Sequence, residues 1–72
     1  MSYEKVVDRF DLGVRAVLTT AKKSYTCRES RQTIYPGEQY YTIKPQYGVA
    51  PHPPRVKPEY LAAYFAHQPG VK

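Results

Sequence analysis

The chain has 72 residues, a formal charge of +5 from eleven Lys and Arg against six Asp and Glu, one cysteine, and eight tyrosines with no tryptophan. A chain of this length makes one domain, buries only about 60% of its unfolded-state surface, and is short for a pocket that shuts water away from a substrate. The single Cys27 excludes an internal disulfide, and the longest clean apolar run, residues 61–66, falls well below the roughly 18 residues that a membrane span needs.

Tyr3, Val6, Val7 and Phe10 stand at the i, i+3, i+4, i+7 spacing of one helix face. With Ser2 as a cap and Gly13 as a left-handed stop, this spacing predicts an N-terminal helical arm over residues 1–12. Glu4, Asp8, Arg9 and Asp11 interrupt any apolar signal core there, so an unprocessed chain is expected. One unpaired thiol fits the reducing cytoplasm.

Residues 14–20, VRAVLTT, are rich in β-branched side chains and predict a strand with Val14, Ala16 and Leu18 on one face. Lys22 and Lys23 fall in a polar turn, a short strand at Tyr25 and Thr26 follows, and residues 27–32 form a loop. After Thr33, Ile34 and Tyr35, the pair Pro36-Gly37 predicts a type II turn, because proline fixes a negative φ and glycine accepts a positive one. Residues 38–44 are the clearest strand: Tyr41 and Ile43 face the core, and Tyr40 shares the opposite face with Thr42, free to contact a partner.

Pro45, Pro51, Pro53, Pro54 and Pro58 predict a long extended loop over residues 45–57. A helix over residues 58–68 then starts at Pro58, with Glu59 at its positive end and Leu61, Tyr64 and Phe65 on its apolar face; Pro69-Gly70 ends it. The expected fold is α+β, a single domain over residues 1–72. Its parts are a helical arm, a small antiparallel sheet over residues 14–44, a proline-rich loop and a C-terminal helix.

The sequence does not point to catalysis. A nucleophilic Cys27 needs a base and a group that orients it, and the only histidines are His52, set between prolines, and His67, at a helix end. Paired carboxylates and a glycine-rich phosphate cradle are both missing from the pattern, so no enzyme is expected. Binding chemistry is better supported. Arg15, Lys22, Lys23, Arg28 and Arg31 oppose only Glu29 within residues 15–31, which marks the basic face. Tyrosines interleaved with these cations suit base stacking beside phosphate contacts, and equally suit a protein interface.

The frame Cys27-x-x-Ser30-x-x-x-Ile34-x-x-Gly37-Glu38-x-Tyr40 resembles small phage and bacterial zinc-ribbon proteins over residues 20–44, with His52 as an outlying match. Ser30 stands where that frame has a second cysteine, and no cysteine follows His52. The resemblance therefore implies a zinc-ribbon-like hairpin without its metal, and no cofactor is expected.

The chain as a whole is similar to small bacteriophage proteins that bind host RNA polymerase, the antiterminators and inhibitors of transcription. That likeness implies a monomer in the host cytoplasm docking on the polymerase through Tyr3, Val6, Val7 and Phe10. Arg15, Lys22, Lys23, Arg28, Arg31 and Tyr40 would then face nascent RNA, DNA or an acidic patch. The alternative expectation is a small basic protein that binds RNA or DNA directly.

Overall fold

The computed structural model describes residues 3–49 and 51–67. Six strands, β1 (Val6–Arg9), β2 (Val14–Thr20), β3 (Tyr25–Thr26), β4 (Thr33–Ile34), β5 (Gln39–Pro45) and β6 (Arg55–Val56), precede a 3-10 turn at Pro58–Tyr60 and the helix α1 (Leu61–Ala66). They form a four-stranded antiparallel sheet in the order β1-β2-β5-β6 and a separate two-stranded ladder of β3 with β4.

This corrects the α+β expectation: the molecule is mainly antiparallel β with one short C-terminal helix, and the N-terminal arm is strand rather than helix. Val6 pairs with Val17 and Val7 with Ala16 across an antiparallel ladder. Gly13, at φ +71°, closes a hairpin turn with its N–H donating to the Phe10 carbonyl. A helix of two or three turns is marginal by itself, whereas two adjacent valines pair well with the β-branched β2, whose backbone groups otherwise have no partner on that side. A set of only four apolar positions satisfied the helical period by coincidence. Tyr41 fastens the strand from below, its hydroxyl donating to the Glu4 carbonyl at 2.6 Å.

β2 and β5 carry the sheet through seven paired positions, from Val14 opposite Pro45 to Thr20 opposite Gln39. Ala16 is fully buried, with Val14 and Leu18 packed beside it, as the alternation in the sequence requires. The turn before β5 has the expected chemistry. Gly37 has φ +91°, the Glu38 N–H donates to the Tyr35 carbonyl at 3.0 Å, and the Tyr35 N–H donates to Glu38 Oε1 at 2.7 Å.

The proline-rich loop is not loop throughout. Arg55 and Val56 form the edge strand β6 opposite Thr42 and Tyr41, and the Ile43 N–H donates to the Pro54 carbonyl. Prolines hold their neighbours extended and are tolerated on an edge, so the two residues after Pro54 that keep their N–H groups are the ones that pair. Val56 is fully buried as a result. Pro58 then opens the 3-10 turn, and α1 buries Leu61, Tyr64 and Phe65. The cap expected at Ser2, the helix end at Gln68 and the Pro69-Gly70 stop lie outside the described residues.

Candidate anion-binding cleft

The turn joining β3 to β4 is built around Cys27. The Cys27 N–H donates to the Gln32 carbonyl at 2.8 Å, and the Arg31 N–H returns to the Cys27 carbonyl at 2.9 Å. The sulfur, fully buried, accepts N–H groups from Ser30 at 3.4 Å and Lys57 at 3.3 Å. Burial pushes the thiol pKa up, but the Lys57 N–H, the Ser30 hydroxyl and the Ser30 and Glu29 N–H groups together hold it below its ordinary value. Cys27 is thus a structural acceptor joining the turn to the start of the C-terminal helix.

Among the described residues no group of three or more His, Cys, Asp or Glu converges to hold a metal. Ser30 spends its hydroxyl and N–H within the turn, and His67 Nδ1 lies 2.6 Å from Glu29 Oε2. Four zinc donors are not assembled around Cys27.

What the turn does assemble is positive charge. Arg31 holds φ +64°, the one described non-glycine residue in the left-handed region. The Arg28 N–H donates to the Arg55 carbonyl at 2.8 Å, which fastens the turn to β6. Between the two lies a cleft of about 260 Å³, with Cys27, Arg28 and Arg31 on one side and His52, Pro53 and Arg55 on the other. Among the described residues no carboxylate lines it. The Arg55 guanidinium stacks 4.0 Å over the Tyr25 ring, and Lys23 Nζ lies 5.9 Å from the same ring. A planar cation on an aromatic face has its orientation set before any ligand arrives.

Both aspartates are paired away from the cleft. Asp8 pairs with Arg15 at 2.6 Å and Asp11 with Arg9 at 2.7 Å. The Arg15 hydrogen bond, aided by Gln46, holds the Asp8 carboxyl below the usual carboxylate range. None of Lys22, Lys23, Arg28, Arg31, Arg55 or Lys57 forms an ion pair with a described carboxylate. Arg28, Arg31 and Arg55 at the cleft and Lys23 beside the Tyr25 ring thus form one basic face.

The residues expected at an interface are divided by this arrangement. Lys22, Lys23, Arg28 and Arg31 are exposed and share the basic face, whereas Arg15 is neutralised by Asp8 at the other end of the sheet. Tyr40 is buried, 6% exposed, and packs at 5.4 Å against Tyr25, so it is not free to meet a partner. Tyr25, on the separate β3-β4 ladder, covers the face of β5 that carries Tyr40. Tyr3, Val6 and Phe10 are exposed, but Val7 packs on the core, so the four do not form one stripe.

His52, Arg55 and Lys57 were not singled out from the sequence as contacts. The triplet Arg55-Val56-Lys57, two cations flanking an apolar residue between prolines, was the available signal for a short strand presenting charge. No protein-family model, curated protein or solved structure matches the chain.

Proposed function

We propose that this chain is a non-enzymatic nucleic-acid-binding module that holds phosphate groups with the face around the Cys27–Arg55 cleft. The observation that carries this reading is the convergence of Arg28, Arg31, His52 and Arg55 on one cleft without a carboxylate, beside Lys22 and Lys23. Arginine presents a rigid fork of donors that matches phosphate oxygens in pairs. The exposed Tyr35 and Tyr47 rings, 61% and 89% accessible, offer faces for unstacked bases.

The test is fluorescence anisotropy with a labelled single strand across a salt series. Three to four neutralised phosphates give a slope of log affinity against log salt of about −2 to −3. A flat salt dependence, or no binding at low salt, would sink the reading.

Docking on a host RNA polymerase, with modulation of transcription, is the second reading. It draws on the resemblance to phage transcription regulators and on one observation: β1 is an outer strand of the sheet, with Val6 exposed on it and Tyr3 and Phe10 exposed before and after it. An open strand edge with apolar side chains is a pairing surface for another chain. In this reading Val6→Asp abolishes capture of the polymerase while single-strand binding persists. Capture that survives Val6→Asp removes β1 from the account.

A further inference from the structure

We propose that the cleft is a subsite for a phosphomonoester, the terminal phosphate of a nucleic-acid strand, in preference to an internal phosphodiester. The inference rests on the nucleic-acid reading above and specifies what part of the strand enters the cleft.

Charge is the first argument. An internal phosphodiester carries one negative charge, whereas a phosphomonoester carries about −1.5 to −2 at neutral pH and three acceptor oxygens. Three guanidinium-bearing residues and an imidazole line this one small space, and none of the three arginines pairs with a described carboxylate. That is more charge than a single diester can neutralise.

Size is the second. At about 260 Å³ the cleft has room for a whole phosphate group and the sugar carbon that bears it, so all three terminal oxygens can be enclosed at once.

The third argument is the backbone at Arg31. A φ of +64° favours glycine, yet an arginine stands there, at the lip of the cleft. Side chains kept in this conformation concentrate where a ligand is gripped. The rest of the strand then has a path from the cleft toward Lys23, which reaches the same Tyr25 ring on which Arg55 is stacked.

The experiment uses the full chain and four single strands of one sequence, bearing a phosphate or a hydroxyl at the 5′ end or at the 3′ end, with the fluorophore always at the opposite end. At about 0.1 M salt, one phosphorylated end binds at least tenfold tighter than its hydroxyl counterpart. Arg31→Gln reduces that ratio below twofold, because it weakens phosphorylated strands more than hydroxyl-ended ones. Arg31→Gly, which suits the backbone, gives the same loss in a protein that melts no lower than the wild type.

Equal affinity for phosphorylated and hydroxyl ends overturns the subsite and leaves nucleic-acid binding standing. If no strand binds at low salt, both fall. In that event ribose 5-phosphate, followed by amide shifts of Arg31, His52 and Arg55, serves as a direct probe: shifts at those residues mark a site for small phosphomonoesters, which contradicts strand-end recognition.

Discussion

Arg31 joins conformational cost to function, because its left-handed backbone disfavours an L side chain by about 1–2 kcal/mol while its position places a cation at the cleft. Arg31→Gly removes that cost and adds glycine's larger entropy loss on folding, roughly 0.5–1 kcal/mol. The balance is a gain of about 0.5–1 kcal/mol, read as a rise of a few degrees in thermal melting, together with weaker binding of a phosphorylated strand. Gly37 is the converse. At φ +91° a Cβ would meet no atom within 4 Å, so Gly37→Ala carries the backbone term alone, about 1–2 kcal/mol. A denaturant titration giving no loss would show that the turn relaxes.

Cys27 adds a pH dependence at the same scale. Its folded pKa lies below the unfolded one, so the thiolate is favoured by the folded state. The resulting stability is fully present above the unfolded pKa, about 8.5, and is lost as pH falls through the lower folded value. The stability gap between wild type and Cys27→Ala should therefore widen as pH rises from 7 to 9.5 in parallel denaturant titrations. At pH 7 the alanine variant already loses about 1–3 kcal/mol, because the Ser30 and Lys57 N–H groups lose their acceptor. A gap that narrows with rising pH contradicts the assigned direction.

Among the elements, β1 shows how far local pattern reaches. β2, the Pro36-Gly37 turn and the buried face of α1 were legible because each is specified by neighbours in sequence: alternation, a proline-glycine pair, and apolar residues three and four apart. β1 and β6 were not, because each becomes a strand only through a partner elsewhere, β2 for one and β5 for the other. The cleft was half legible for the same reason. Arg28 and Arg31 stood out as cations, but Arg55 joins them only through the Arg28–Arg55 backbone bond across the fold.

The placement of β1 has a direct consequence for truncation. Removing residues 1–10 strips four ladder pairs, the Leu18 to Lys5 bond and the Tyr41 to Glu4 bond, and opens Ala16 and Tyr41 to water. In a domain whose core supplies roughly 3–5 kcal/mol, the truncated chain should show no cooperative thermal transition. A cooperative transition within a few degrees of the full chain would make β1 an appendage.

For the whole molecule, the distribution of charge matters more than its sum. Arg9 and Arg15 are matched by Asp11 and Asp8 at the β1 end, while Lys22, Lys23 and the cleft arginines are left to face solvent. A matched arginine adds little to the field felt by a distant phosphate, and an unmatched lysine adds its full charge within a Debye length of roughly 8–10 Å. Lys22→Gln with Lys23→Gln should therefore lower the salt slope of single-strand binding by about 1 to 2 and leave the fold intact, since both side chains are exposed. Arg15→Gln removes the same unit of formal charge per residue and should leave the slope unchanged, because the lost guanidinium is bonded to Asp8 and is not among the cations at the cleft. Equal reductions from Arg15 and from either lysine would mean that the protein binds by net charge alone, and the cleft would lose its claim to be the site.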